Sequence, residues 1–154
     1  MEHKFTATTE LELPREEVFA FFSDAANLEQ ITPPELSFKI LTQSPVLIKT
    51  GTIIDYQIRL FGIPVHWRTL ISKFDPPRVF VDEQLKGPYS QWVHTHSFEE
   101  VDGKTIIYDE VKYRLPFSPL GDIAFPLVRM QINRIFAYRE KAISNALLVH
   151  RQFD

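Results

Sequence analysis

Two histidines stand two residues apart in the segment QWVHTHSFEE, residues 91 to 100. Alternate side chains of a β-strand point to the same face, so His94 and His96 share one face of any strand that contains them. Imidazoles serve as general bases near neutral pH, as metal ligands, and as hydrogen-bonding groups for a bound molecule. Which use applies depends on the carboxyl groups that the fold brings beside them.

Turn signals on either side of this strand predict which residues lie next to it. If the DG of VDGK forms a two-residue turn, His96 lies opposite Asp109 in an antiparallel hairpin. If the GP of KGPY closes the preceding hairpin, Glu83 lies on the same face as His94. Glu83, His94, His96 and Asp109 are therefore the predicted concentration of ionisable groups on the inward face of the sheet.

Aromatic residues make up much of the rest of this predicted face. A two-residue turn at Gly62-Ile63 in FGIP, which sets Trp67 opposite Ile58, and a three-residue turn at DPP place two further strands in register and direct their alternate residues inward. The inward aromatic residues are Tyr56, Trp67, Trp92, Phe98 and Tyr113. They suit either a densely packed core or the wall of a cavity. Met130, on the C-terminal helix, is an adaptable wall residue or plain core by the same reasoning. The charged residues Arg129, Arg134 and Arg139 of this helix are expected to face solvent.

The elements that must position these residues follow from hydrophobic periodicity. Residues 4 to 13 alternate as in a strand, and a short helix from Pro14 to about Asp24 precedes a second short helix. Six segments of strand length lie between residues 36 and 115. An apolar stripe at helical spacing over residues 127 to 148 predicts a long helix, with Pro126 kinking it or separating a short leading helix.

This order predicts an α+β fold of the form β-α-α-β6-α. Its curved seven-stranded antiparallel sheet wraps around the long C-terminal helix. With 154 residues, 44% of them apolar, the chain is predicted to form a single domain over residues 1–154.

Composition excludes several classes of function. A net charge of -3, with 17 basic and 20 acidic residues intermixed, argues against nucleic acid as a partner. The absence of cysteine excludes zinc-thiolate sites and thiol nucleophiles. No run approaches the ~20 apolar residues of a membrane span, so we expect no stable membrane insertion and a cytoplasmic location. Serine-hydrolase, phosphate-loop and dinucleotide motifs are also missing. The sequence makes no prediction about oligomeric state.

Two segments carry a resemblance to a known family: WRTLISKFDPPRVFVDEQLKGPYSQWVHTHSFEEVDG and DEVKYRLPFSPLG. The chain resembles the START-like superfamily, also called SRPBCC or Bet v 1-like, and most closely its polyketide cyclase/dehydrase-type branch. The resemblance implies a helix-grip fold with a cavity for a hydrophobic small molecule between the sheet and the long helix. That family includes both enzymes and carriers, so fold does not decide function.

Four uses of the ionisable cluster fit the sequence. A buried His96-Asp109 contact can be structural, each group offsetting the burial cost of the other. The same carboxylate can orient His96 for general acid-base catalysis. In either case we expect the charge of Asp109 to keep His96 protonated to higher pH. His94, His96 or Glu83 can instead hold one polar group of an apolar ligand. A metal would need Asp109 or Glu83 as its third ligand, and no metal site is predicted.

We therefore expect a protein that binds a hydrophobic or aromatic small molecule, such as a lipid, isoprenoid or polyketide-like compound, without a cofactor. The predicted ligand-binding residues are Tyr56, Trp67, Glu83, Trp92, His94, His96, Phe98, Asp109, Tyr113 and Met130. The alternative is a cofactor-independent cyclase or aromatase that uses His96 with Asp109 as base and Glu83 or a tyrosine as proton donor. A protein that acts mainly through partner contacts is a third class, which an exposed apolar patch would indicate.

Overall fold

The computed structural model describes residues 1–43 and 46–153, the last six of these as backbone. In chain order the elements are β1 (Glu2–Leu11), α1 (Arg15–Phe22), α2 (Asn27–Gln30), a 3-10 turn (Pro34–Leu36), β2 (Lys39–Ile40), β3 (Ile53–Leu60), β4 (Ile63–Asp75), β5 (Val79–Lys86), β6 (Gln91–Val101), β7 (Lys104–Arg114), a second 3-10 turn (Leu120–Ala124) and α3 (Phe125–Phe153). This order confirms the predicted α+β arrangement.

The seven strands form one antiparallel sheet in the order β1-β7-β6-β5-β4-β3-β2. Its concave face holds α3, whose buried Ile132 packs with Val111 of β7. Farther along α3, Ile143 packs in a second cluster with Phe98 of β6. The predicted helix-grip fold is confirmed.

The first strand and helix follow local sequence rules. Exposed and less exposed residues alternate along β1, as the period of two predicts. In α1, Glu16 and Glu17 occupy the first turn, where the helix dipole favours acidic side chains. Val18 and Phe19 are buried against the core, and Ser23 ends the helix by donating from its hydroxyl to the Phe19 carbonyl oxygen. The helix ends at Phe22, close to the predicted end.

The β6-β7 hairpin has the predicted register. Asp102 and Gly103 form its turn with φ values of 53° and 77°, the left-handed pair that a type I′ turn needs. His96 therefore pairs with Asp109, and His94 pairs with Val111. The confirmed register places both histidines on the concave face, where they are buried.

In the β3-β4 hairpin the predicted register is wrong by two residues. The left-handed turn falls on Phe61 and Gly62 rather than on Gly62 and the next residue, so Trp67 pairs with Tyr56. An even shift leaves every side chain on its original face. Tyr56 and Trp67 consequently remain inward although their predicted partners were wrong.

The β5 register is wrong by one residue, which exchanges its two faces. Residues 87–90 form a wider connection than a two-residue turn, because the Gln84 side chain bonds both the N–H and the C=O of Tyr89. Asp82 consequently pairs with His94 on the concave face, and Glu83 pairs with Val93 on the convex face. The predicted inward position of Glu83 is therefore wrong, and Asp82 takes its place.

A β-bulge at Ser72 completes the concave face. The β4-β5 pairing shifts between Ile71 and Lys73, so one extra residue is inserted in β4. Phe74 faces the core on one side of the bulge, whereas Ile71 and Trp67 face it on the other. The bulge is what allows odd-numbered residues of β4 to share a face with Asp82 of β5.

The C-terminal helix has the predicted buried stripe but differs from prediction at Met130. Ile132 and Phe136 are 1% and 8% exposed, as expected for the stripe. Met130 is 61% exposed, so its predicted place in a cavity wall or core is wrong. Pro126 lies in the first turn of α3, directly after the short 3-10 turn. Of the two predicted alternatives, the structure therefore shows a short leading helix that is separate from the long one. Within the described residues, no helix is long and apolar enough to span a membrane.

Candidate functional site

A cavity of about 160 Å³ lies between the sheet, the α1-α2 region and α3. Most of its wall is apolar or aromatic, and Asp82, His94, His96 and Arg139 add charge or polarity. The apolar and aromatic residues of the wall include Phe22, Leu28, Leu36, Phe38, Ile54, Tyr56, Ile58, Trp67, Ile71, Phe80, Trp92, Ile132, Ile135 and Phe136. This is the type of enclosure that holds small organic molecules, with few polar groups placed in an apolar wall.

Two histidines and two aspartates form a compact cluster beside this cavity, which we call the His-Asp quartet: Asp82, His94, His96 and Asp109. The imidazole rings of His94 and His96 stack with centroids 3.6 Å apart. His94 Nε2 lies 2.7 Å from Asp109 Oδ1, and His96 Nε2 lies 2.5 Å from Asp82 Oδ2. The other ring nitrogens are farther from the carboxylates, at 3.7 Å for His94 Nδ1 to Asp82 Oδ2 and 3.4 Å for His96 Nδ1 to Asp109 Oδ1.

The hydrogen bonds of the quartet cross the ladder diagonally. Strand pairing sets Asp109 opposite His96 and Asp82 opposite His94. The short contacts nevertheless join His94 to Asp109 and His96 to Asp82. The predicted His96-Asp109 neighbours are therefore confirmed as a strand pair, but the carboxylate that hydrogen-bonds His96 is Asp82.

Burial controls the charge state of this cluster. Burial of His96, together with the neighbouring His94, lowers the pKa of the His96 imidazole to about 4. Burial raises the pKa of the Asp109 carboxyl, but the hydrogen bond and charge of His94 outweigh burial and lower it well below its usual range. For Asp82 too, burial raises the carboxyl pKa, but the neighbouring His94 and His96 outweigh burial, so the pKa is lowered. The expectation that Asp109 keeps His96 protonated to higher pH is wrong, because desolvation of the imidazole dominates.

Arg139 is a residue of the cavity wall that sequence reasoning assigned to the helix exterior. Its guanidinium carbon lies 5.3 Å from the ring centroid of Phe22 and 5.7 Å from that of Phe136. Both Nε and Nη2 are buried and have no hydrogen-bond partner among the described residues. Its spacing from Ile132 and Phe136 places it on the buried stripe, so periodicity could have found it. A charged residue on that stripe was instead interpreted as solvated.

Trp67 supplies a second unpaired donor. Its indole Nε1 is buried, and no described residue accepts a hydrogen bond from it. Tyr56 stacks on the Trp67 ring with centroids 5.9 Å apart, and Trp92 meets the ring edge-on at 5.4 Å. Burial raises the pKa of the Tyr56 hydroxyl far above its usual value, so this tyrosine stays protonated. Five predicted ligand-binding residues thus line the cavity: Tyr56, Trp67, Trp92, His94 and His96.

Three other predicted residues lie behind the cavity rather than along it. Phe98 packs edge-on against Phe19 in the core, and Tyr113 packs beside Trp92. Asp109 instead lines a separate depression of about 200 Å³. From there its carboxylate positions the histidines without lining the main cavity.

The metal-binding capacity of the site comes from the corrected register. Asp82, His94 and His96 each offer one ligand atom, and these atoms lie within 4.8 Å of one another. Sequence reasoning sought the third ligand at Glu83 or Asp109. Asp82, next to Glu83 in the sequence, faces the cavity and offers this third ligand atom instead.

Known structures share this architecture. An aromatase/cyclase from a Streptomyces species gives a TM-score of 0.77 at 16% identity, covering 96% of this chain and 94% of that chain. A START superfamily protein from Mycobacterium smegmatis gives 0.73 at 14% identity, covering 99% of each chain. Norcoclaurine synthase from Thalictrum, determined with a transition-state analogue, gives 0.71 at 16% identity, covering 98% and 97%. At these identities the likeness shows the fold.

Sequence comparison identifies the family. A search of curated proteins found no match. A family model described as polyketide cyclase/dehydrase and lipid transport matches residues 11–136. The match runs from the end of β1 through every strand that lines the cavity and into α3. The chain therefore belongs to the polyketide cyclase/dehydrase and lipid transport family.

Proposed function

We propose that residues 1–154 act as one domain that binds a compact hydrophobic or aromatic molecule carrying an oxygen acceptor. The observation that carries this proposal is an apolar cavity whose wall contains buried donors without partners, at Trp67 and Arg139. A buried donor without an acceptor costs about 1 to 3 kcal/mol, which a ligand oxygen would recover. The family description, which includes lipid transport and polyketide cyclisation, supports an apolar ligand.

Cavity size limits the ligand further. An engineered apolar cavity of about 150 Å³ binds benzene. The cavity here, at about 160 Å³, accordingly suits a one-ring or two-ring compound or a short branched chain. A larger molecule can continue into a neighbouring depression, because Leu60, Tyr89 and Gln131 line both spaces. Exposed apolar side chains such as Phe61 and Phe117 border that depression and give an apolar ligand a route inward.

A paired titration tests the acceptor requirement. Phenylacetate and ethylbenzene have similar apolar parts, but phenylacetate also carries a carboxylate. We expect phenylacetate to bind more tightly, with binding followed by tryptophan fluorescence and NMR shifts of the Trp67 indole N–H. Arg139→Met should weaken phenylacetate at least tenfold and leave ethylbenzene nearly unchanged. Arg134→Met is the matched control, because Arg134 pairs with Glu35 at the surface. Equal effects of both variants on both compounds would contradict the proposal.

The His-Asp quartet supports a second candidate, a cofactor-independent cyclase or aromatase. His96 lines the cavity and is neutral at pH 7, as a general base must be before it accepts a proton. Its hydrogen bond to Asp82, rather than to Asp109 or Glu83, would orient it. In an enzyme, Asp82→Asn should reduce turnover more than substrate affinity, because orienting a base matters most in the transition state. A variant that weakens binding without a turnover defect would favour the binding protein.

A further inference from the structure

Three atoms of the quartet converge in the arrangement of a metal site. His94 Nδ1 and His96 Nε2 both approach Asp82 Oδ2, and one ligand atom from each of the three residues lies within 4.8 Å of the others. Bonds to zinc of about 2.0 to 2.2 Å place two ligands of one tetrahedral ion roughly 3.4 Å apart. The separation of 3.7 Å between His94 Nδ1 and Asp82 Oδ2 is close to that value. The shorter His96-Asp82 contact would open by about 1 Å to admit an ion.

Asp109 occupies the place of a supporting carboxylate. In metal sites, a coordinating histidine usually donates its other ring N–H to a carboxylate, which fixes the ring and makes it more basic. Here the second nitrogen of each ring points to the same group: Asp109 Oδ1 lies 2.7 Å from His94 Nε2 and 3.4 Å from His96 Nδ1. One buried carboxylate therefore orients His94 by a hydrogen bond and lies near the second nitrogen of His96.

Hydrogen bonding within the quartet alone leaves part of its capacity unused. Only two of the four contacts between ring nitrogens and carboxylates are short enough for a good hydrogen bond. His96 Nδ1 is buried and has no hydrogen-bond partner within the described part of the chain. A purely structural cluster would be expected to satisfy its buried polar atoms. Of the two longer contacts, the one between His94 Nδ1 and Asp82 Oδ2 is the contact that an ion between these atoms would replace.

Charge is compatible with a divalent cation. Asp82 and Asp109 supply two carboxyl groups to the cluster, and Arg139 of the cavity wall contributes one positive charge. A divalent ion would leave the cluster with a single positive charge. An anionic oxygen of a molecule in the cavity would offset that charge and occupy the open coordination position.

We infer that Asp82, His94 and His96 bind a divalent transition-metal ion such as Zn²⁺, with Asp109 as the supporting carboxylate. Two imidazoles and one carboxylate suit zinc and iron, and three protein ligands leave a coordination position open. All three ligands line the cavity, so this position faces the space for the small molecule. The inference does not depend on which molecule the cavity holds, but an ion bound to His96 Nε2 would exclude His96 as the general base of a cofactor-independent enzyme.

Calorimetry with Zn²⁺ on chelator-treated, dialysed full-length protein tests the site. We expect one ion per chain, and Co²⁺ at the same site should give visible d–d absorption that Zn²⁺ displaces. Asp82→Asn should weaken Zn²⁺ binding at least a hundredfold, and Asp109→Asn by about 10- to 100-fold. His66→Gln is the matched control, because His66 forms a surface pair with Asp55 at 2.8 Å.

Each outcome either supports or overturns the proposed metal site. Stoichiometric binding that survives His66→Gln but is lost in folded Asp82→Asn supports the site. Absence of stoichiometric Zn²⁺ and Co²⁺ binding by the wild-type protein overturns it, whatever the variants do. Binding that Asp82→Asn leaves unchanged also overturns it. If Asp82→Asn does not fold, Co²⁺-induced shifts of the His94 and His96 imidazole resonances in the wild type give the same decision, since an ion elsewhere would leave them in place.

Discussion

His94 hydrogen-bonds Asp109 across β6 and β7, although the residue opposite Asp109 in the ladder is His96. The same diagonal displacement joins His96 to Asp82 on β5. Each carboxylate thus serves the histidine that is not its strand partner. The stacked imidazoles lie between two negative groups, and a change at either aspartate reaches both rings.

The first prediction concerns the charge state of His96. Asp82 raises the pKa of this imidazole against the larger effect of burial. Asp82→Asn should therefore move the His96 titration midpoint below its value of about 4, measured from the imidazole NMR signals in the presence of chelator. Glu83→Gln, on the opposite face of the same strand, should leave the midpoint unchanged. An equal response to the two substitutions would mean that the β5 register is wrong.

The second prediction is a loss of stability in mild acid. Unfolded His96 binds a proton near pH 6.5, whereas the folded imidazole stays neutral down to about pH 4. Between these values the unfolded state binds more protons, so the free energy of unfolding decreases as the pH falls. Asp82, whose folded pKa is lowered, contributes stability above its unfolded pKa and loses it in acid, with the same sign.

Urea unfolding of chelator-treated protein at pH 7 and pH 4 measures this loss. We expect a decrease on the order of 3 kcal/mol from His96. His66→Gln should retain most of this decrease, because His66 lies outside the quartet, in a pair with Asp55. Equal stability at the two pH values would be incompatible with a buried neutral His96.

The third prediction tests the packing of α3 on the sheet. Ile132 is 1% exposed, and Ile132→Asp places an unpaired charge in the core, which should cost about 3 to 5 kcal/mol. Met130→Asp is the matched control on the same helix, since Met130 is 61% exposed, and should change stability by less than about 0.5 kcal/mol. Urea unfolding distinguishes the two variants. Similar losses of stability in both variants would contradict the orientation of α3, in which Ile132 faces the core and Met130 faces solvent.

The fourth prediction concerns the segment that leads into α3. A Cβ atom on Gly121 would lie 1.7 Å from the Pro116 carbonyl oxygen, so the backbone would have to move. Gly121→Ala should cost about 2 kcal/mol or more in thermal or urea unfolding. Leu120→Ala, at the adjacent and 73% exposed position, should be nearly neutral. A neutral Gly121→Ala would show that this close approach is not maintained.

Prediction from the sequence succeeded where a local signal determines the geometry. The order of elements follows from periodicity, and the β6-β7 register follows from a turn whose second residue, Gly103, tolerates a positive φ. Prediction failed at β5, because the β5-β6 register depends on hydrogen bonds between the Gln84 side chain and the Tyr89 backbone. Hydrophobic periodicity does not reveal such a side-chain interaction. Arg139 was missed for a different reason. Its charge indicated a position facing solvent, although its spacing from Phe136 places it on the buried stripe.

The Ser72 bulge makes the lining of the cavity sensitive to the length of β4. Deleting this one residue would turn Arg68 and Leu70 toward the ligand in place of Trp67 and Thr69, because each side chain between the bulge and the β3-β4 turn would change face. Adding two residues to the same stretch would preserve the faces. We therefore expect related proteins to differ in β4 length by even numbers of residues. A single-residue insertion or deletion there would indicate a family member with a different ligand.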